Sequence, residues 1–232
     1  MAAVSRVGFT VRNGTISGFK YGIYLSSSSG LPRTDVTATD VRLLAAPIDA
    51  WPGTITFTGT RQDACLLSGL RLVDGLITIE RCTVTRQTVM VRGTGSAIRS
   101  STLTGGSLTV SATDQGTFTR NVFDAFPMGL SNDSRRNLVR ANVFKNSATA
   151  GLGAAETFLP QDANTIEDNE FTGNGLHPSG LVDGQGHTVQ GGIHLSSRAA
   201  LTPPATSSGR PRARSPTEAA TRAPVAPPPT PT

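Results

Sequence analysis

Aromatic side chains are scarce in this chain: nine Phe, two Tyr and one Trp in 232 residues. A core resting on a few large rings is thereby excluded, and it must be assembled from many small aliphatic contacts, each buried side chain contributing roughly 1.5–3 kcal/mol. No apolar run approaches about 18 residues, which excludes a helical membrane span. No basic stretch followed by an apolar one opens the chain, so no secretory signal is expected within this sequence. Helix periodicity is missing as well, because no run of ten residues with apolar positions at i, i+3, i+4 and i+7 survives the 25 glycines. A fixed LxxLxL frame, which a leucine-rich solenoid would need, never repeats. The histidines His177, His187 and His194 lie in Gly-rich sequence and no His/Cys cluster has metal-ligand spacing, so no metal site is expected.

What is present is a repeat. An aliphatic residue, a small or polar one three later and an apolar one two beyond that recur as Val11/Gly14/Ile16, Val36/Thr39/Val41, Ile79/Cys82/Val84, Ile98/Ser101/Leu103, Phe118/Asn121/Phe123, Val139/Asn142/Phe144 and Ile166/Asn169/Phe171. From Cys82 onward the middle residue advances by 101−82 = 19, 121−101 = 20, 142−121 = 21 and 169−142 = 27. A second apolar element trails each unit: GIYL at 22–25, VMV at 89–91, LTV at 108–110, GLS at 129–131 and GLG at 151–153. Each unit thus holds two or three short strands rich in Val, Ile, Thr and Phe, broken by Gly, Asn, Asp and Ser. An all-β, single-stranded right-handed parallel β-helix satisfies this pattern, one unit per coil, each strand pairing with its equivalent about 4.8 Å away. Residues 42–75 fit the register least well.

In that architecture Phe118, Val139 and Ile166 stack in one inward column and Phe123, Phe144 and Phe171 in another. Asn121, Asn142 and Asn169 form an internal amide ladder, with Ser101 and Cys82 as smaller members, at turns where Asn tolerates left-handed dihedrals. Every member must be satisfied, because an unpaired buried amide costs about 1–3 kcal/mol. Cys82 falls in the ladder column, where a buried free thiol is the commoner reading, and a disulfide to Cys65 is the alternative if the protein is exported.

The repeat ends near Ser196. Residues 197–232 hold nine of the 15 prolines, and five Arg against Glu218 alone, so 5−1 = +4 of the net charge of +5 lies there. The β-helix therefore spans residues 1–196, nearly neutral, and 197–232 reads as a disordered or polyproline-like tail. The charge is no argument for a nucleic-acid partner. A shifted reading frame, a truncated gene and a natural linker all give this look. Because Val11 already lies inside a coil with no amphipathic cap before it, an upstream capping segment is expected.

VRNGTISGFKYGIYL and the repeated NVF, NVF and NEF resemble the right-handed parallel β-helix repeat proteins of the pectin-lyase-like superfamily, most nearly its looser NosD-like subgroup, over residues 4–195. The resemblance implies export, with an extracellular or cell-surface location, and a polysaccharide or cell-surface glycan as partner. Its enzymes are lyases and hydrolases that work along one sheet with outward carboxylates, which bind calcium or act as acid and base, helped by Arg or Lys. The outward residues Tyr24, Met90, Thr109, Gly129 and Gly151 include no charge, so this face lacks the base and the counter-charge that proton abstraction needs. Asp114 and Asp162 each precede a ladder Asn by seven and Asp133 precedes one by nine, which would project three carboxylates along one edge, with Arg120, Arg140 and Lys145 on an adjacent face. Such a row would serve a glycosidase or bind calcium; the plainer account is Asx-turns at strand ends. The expected function is a noncatalytic carbohydrate or surface-ligand binder, contacted through Tyr24, Thr109, Arg120 and Arg140. A polysaccharide lyase or hydrolase using Asp114, Asp133 or Asp162 is the alternative. A NosD-like copper accessory, or a truncated fragment, is the second.

Overall fold

A computed structural model describes residues 2–4, 8–26, 35–44, 48–49, 53–61, 63–68, 76–86, 88–131, 133–155, 160–177, 180–183, 186–196 and 201–202. Apart from one 3-10 turn at Pro160–Asp162, the regular elements are strands of two to five residues, and every strand pairing is parallel. No helix among the described residues is long and apolar enough to cross a membrane.

The strands form a nine-stranded sheet from Phe9–Arg12 to Leu201–Thr202, an eight-stranded sheet from Thr15–Ser17 to Glu170–Thr172, a five-stranded sheet from Thr88–Val91 to Ile193–Leu195, and a three-stranded sheet containing Ile23–Ser26. Successive strands of one sheet come from successive units of the sequence, so the chain winds once round per unit. This is the expected parallel β-helix. Its last pairing, Asn164 with Leu201 and Thr165 with Thr202, carries the nine-stranded sheet six residues past the Ser196 boundary; the rest of 197–232 lies outside the described residues.

The inner columns stand as the repeat requires. Ile98, Phe118, Val139 and Ile166 are in register, as are Leu103, Phe123, Phe144 and Phe171. The Phe123 and Phe144 rings stack at 4.6 Å and 3°, and Phe144 and Phe171 at 5.0 Å and 7°. Such offset contacts at one strand spacing add about 0.5–1.5 kcal/mol beyond the area they bury.

The register departs from expectation in the second unit. Val11 pairs with Ala38 and Ile16 with Leu43, so the equivalent residues there are Ala38/Val41/Leu43, two positions later than Val36/Thr39/Val41. Alternation of inward side chains makes a two-residue slip preserve the apolar pattern, and Val36 is itself an inward residue. In the third unit Phe57 pairs with Ile79 and Leu66 with Thr83. The turn between them runs 65−57 = 8 residues against 82−79 = 3 in the next unit, an insertion of five that hides the register of 42–75.

That alignment places Cys65 directly under Cys82. The two form a disulfide with a Cα–Cα separation of 4.7 Å, one strand spacing. The free-thiol expectation is thus corrected: the bond is a covalent rung in the column Val41–Cys65–Cys82–Ser101–Asn121–Asn142–Asn169.

Above it the rungs are hydrogen bonds. The Cys82 N–H donates to Ser101 Oγ at 3.2 Å and the Ser101 N–H to Asn121 Oδ1 at 3.0 Å. Asn142 Oδ1 accepts the Asn121 N–H at 2.9 Å and Nδ2 at 3.1 Å, and Asn169 Oδ1 accepts both N–H groups of Asn142 at 2.9 Å. Each Nδ2 also donates to a strand carbonyl: Asn121 to Ile98, Asn142 to Phe118 and Asn169 to Val139.

The left-handed backbone is one residue earlier than expected. Asn13, Asp40, Arg81, Ser100, Arg120, Ala141 and Asp168, each preceding a column member, have φ between 49° and 57°, whereas the ladder asparagines do not. The turn residue reverses the chain, and its successor then points inward to bond the adjacent coils. A parallel ladder stands five residues upstream: Asn137 and Asn164 precede Asn142 and Asn169 by five, and Asn164 Oδ1 accepts from the Asn137 N–H at 3.1 Å and from its Nδ2 at 2.9 Å. The Gly116 N–H donates to Asn137 Oδ1 at 2.7 Å, and a Cβ on Gly116 would lie 2.6 Å from that oxygen.

Candidate functional site

The aspartates fall at the corner between the five-stranded and nine-stranded sheets. Asp114 bridges to Arg135 in the next coil. The Gln115 N–H bonds the Arg135 carbonyl and the Arg136 N–H bonds the Asp162 carbonyl, so Asp114, Arg135 and Asp162 occupy one column. An arginine therefore stands between the two aspartates expected to be neighbours. Asp133 lies two residues upstream of Arg135 and outside that column: Arg135, like Asp114 and Asp162, precedes its ladder Asn by seven residues, whereas Asp133 precedes it by nine.

Their electrostatics differ from those of an acid–base pair. The Arg136 guanidinium donates two hydrogen bonds to Asp114 and holds its carboxyl below the ordinary carboxylate value. Arg135 Nη1 lies 4.0 Å from Asp162. Partial burial pushes Asp133 upward, but the Ala112 N–H and the Ser131 hydroxyl outweigh it, and its carboxyl also titrates below the usual value. A glycosidase acid must keep its proton near neutral pH; Asp114 and Asp133 are held as anions. For calcium, the Asp114 and Asp162 oxygens already have guanidinium neighbours.

The basic residues expected beside them are elsewhere. Arg140 pairs at 3.5 Å with Glu167 and at 3.3 Å with Asp168, and Lys145 at 3.3 Å with Asp124. Arg120 occupies a left-handed turn position with φ 57°. Tyr24 belongs to the three-stranded sheet and Thr109 to the five-stranded one, so they do not share a sheet. On the five-stranded sheet the outward column is Met90, Thr109, Gly129, Gly153 and His194. Gly153 replaces the expected Gly151, which is buried; a Cβ there would meet Phe144 Cβ and Asn174 Nδ2 at 3.0 Å. At the end of this column His194 Nε2 and His187 Nδ1 approach Asp183 Oδ2 at 3.2 and 3.4 Å, tying Asp183 and His187 to the last coil.

The outward face of the nine-stranded sheet carries a feature that escaped the sequence reading. One column runs Thr10, Thr37, Thr56, Thr78, Ala97, Thr117, Leu138, Thr165. The next runs Arg12, Thr39, Thr58, Glu80, Arg99, Thr119, Arg140, Glu167 across the same pairs. Threonine suits an outward strand position because its branched Cβ fits the pleat; in the first column Thr10 and Thr37 are exposed, Thr56, Thr78, Thr117 and Thr165 half-buried, and Ala97 buried. Successive hydroxyls stand about 4.8 Å apart along the helix axis and about 6.7 Å apart within a strand. The signal of these columns in the sequence is Thr-x-Thr at 37–39, 54–58 and 117–119, which carries no charge and so stands apart from the acid–base candidates.

No curated protein matches the chain. Among solved structures, that of QnrB1 (R167E, trypsin-treated), a plasmid-mediated fluoroquinolone resistance protein, is similar over 82% of this chain and 91% of its own at 10% identity, with a TM-score of 0.22; a likeness at that level carries no argument. The family described as "Right handed beta helix region" matches residues 2–203. Its match spans the whole stack of parallel coils and ends one residue after the last described strand, and the chain belongs to that family.

Proposed function

We propose that this protein is an exported, noncatalytic β-helix that binds an extended polysaccharide along the outward face of its nine-stranded sheet. The observation that carries this reading is the threonine column, one hydroxyl in each of four successive coils at Thr10, Thr37, Thr56 and Thr78, at a step comparable to the length of one pyranose ring. A hydroxyl both donates and accepts, so a row of them can track the hydroxyls of a sugar chain without a charged anchor. The Cys65–Cys82 disulfide supports export, since such bonds persist in oxidising compartments. The aspartate corner supports a binder over a lyase or hydrolase, because its carboxylates are tied up by Arg136, Arg135 and Ser131. The test is retention of the purified chain on insoluble polysaccharides and on a broad glycan array, with reducing and unsaturated ends assayed in parallel. Binding without turnover, lost on Thr37→Lys and Thr56→Lys, is expected. Silence across the array overturns the reading, and turnover abolished by Asp133→Asn would replace it with the enzymatic one.

A further inference from the structure

The five-residue insertion after Gly59 builds a cleft of about 430 Å3 at the corner between the nine- and eight-stranded sheets, lined by Asn13, Asp40, Arg42, Thr60, Arg61 and Asp63. We propose that this cleft holds one neutral sugar residue, recognised through its vicinal hydroxyls; the proposal rests on the glycan-binding reading and names the unit that is selected. The volume falls in the range of small-ligand sites, roughly 300–1,000 Å3.

The cleft is built rather than incidental. Its floor is Asn13 and Asp40, equivalent left-handed turn residues of successive coils with φ 52° and 53°. Their N–H groups donate to the Thr39 and Thr58 carbonyls at 3.1 and 3.0 Å, which places the cleft at the end of the threonine columns. The inserted turn is pinned at its start by Thr60, whose N–H and hydroxyl donate to the two Asp40 oxygens at 2.8 and 2.9 Å. At its far end it is fixed covalently through Cys65. A site held this way loses little entropy on binding.

The lining charges decide the ligand class. Arg42 and Arg61 balance Asp40 and Asp63, so the cleft has no net charge to attract a uronate. Arg61 is already engaged by Asp63 at 3.0 Å. What remains is a mixture of donors, Arg42 and the Asn13 amide, and acceptors, the Asn13 oxygen and the second lone pair of each Asp40 oxygen, the first being taken by Thr60. Planar donors and acceptors side by side fit a pair of adjacent hydroxyls, each of which gives one hydrogen bond and takes another.

Calorimetry on the full chain with neutral hexose oligomers and with galacturonate oligomers tests this. Neutral oligomers should bind, and Arg42→Met and Asn13→Gly, the latter keeping the turn dihedral accessible, should each weaken binding roughly tenfold, equivalent to about 1.4 kcal/mol. Should Arg42→Met lose its melting transition, Asn13→Gly decides. Neutral-oligomer affinity unchanged in the folded variants overturns the cleft while leaving glycan binding intact, as does a preference for galacturonate. Failure of every oligomer to bind the wild type overturns both.

Discussion

Replacing Asn142 by Leu removes one rung of the amide ladder without opening a cavity, since the two side chains are similar in size. Four side-chain hydrogen bonds disappear: two accepted from Asn121, one given to Phe118 and one given to Asn169. Two of the stranded groups keep another partner, because Asn121 Nδ2 still reaches the Ile98 carbonyl and Asn169 Oδ1 still accepts the residue-142 N–H. The Asn121 N–H and the Phe118 carbonyl lose the side chain that met them, in a column where Asn121 and Asn142 are each 1% exposed. At about 1–3 kcal/mol for each unsatisfied buried group, the expected loss is about 4 kcal/mol. With about 2–4 °C per kcal/mol for a domain of this size, Tm should fall by on the order of 12 °C. The control is Thr104→Leu, an exposed position on the same stack, which should stay within about 0.5 kcal/mol. Thermal melts followed by far-UV circular dichroism decide it, and equal shifts for the two variants refute the ladder as a source of stability.

Three further outcomes follow from the same geometry. Reducing the Cys65–Cys82 bond, which spans 17 residues, should cost about 3 kcal/mol from loop-closure entropy; a melt unchanged by reductant contradicts this. Ala141→Gly, at an exposed turn position with φ 54°, should raise stability by up to about 1 kcal/mol as the left-handed strain is relieved, and a lowered Tm counts against the strain. Asp114, Asp124 and Asp133 all titrate below their usual value, through Arg136 for the first, Asn146 and Lys145 for the second, and the Ala112 N–H and Ser131 hydroxyl for the third. Lowered folded-state values mean their stabilisation is complete above the unfolded carboxylate pKa, near 3.9, and drains away as pH falls below it. Urea midpoints should therefore hold steady above about pH 5 and drop under pH 4, less steeply in Asp114→Asn; identical slopes for the variant would sink the assignment.

The inner wall of the solenoid was legible in the sequence because stacking forces each coil to repeat its neighbour's inward residues. Phe123, Phe144 and Phe171 recur for that reason, and the asparagines likewise. Two things blurred the reading. Inward residues alternate, so Val36 could pass for Ala38, and a corner can absorb five extra residues without disturbing the strands on either side, which concealed that Cys65 sits beneath Cys82. The second ladder through Asn137 and Asn164 was available from its five-residue offset to the first. The aspartate corner differs for another reason: counting back seven from Asn121, Asn142 and Asn169 reaches Asp114, Arg135 and Asp162, so an arginine holds the middle place, and Asp133, nine back, falls outside the column.

Outward positions answer to weaker constraints, and this bears on where function can reside. An inward substitution is felt by the coils above and below, so core columns are conservative in kind along the stack: aliphatic, then Phe, or Ser, then Asn. An outward residue touches only its cross-strand neighbours, worth about 0.2–1 kcal/mol each, and although strand propensity favours Thr, other β-branched and aromatic residues would satisfy it equally at Thr10, Thr37, Thr56 and Thr78. Their agreement over four successive strands is thus more informative about surface use than any inner column. Corners are freer still, and the insertion that begins after Gly59 and ends at Cys65 is held by a covalent bond and by a doubly bonded Asp40. The disulfide also serves the stack as a rung of the inner column, but the Asp40–Thr60 bonds lie outside strands whose pairing is complete on both sides of the insertion. Those bonds fix the shape of the cleft, which is what a binding site requires and a connecting turn does not.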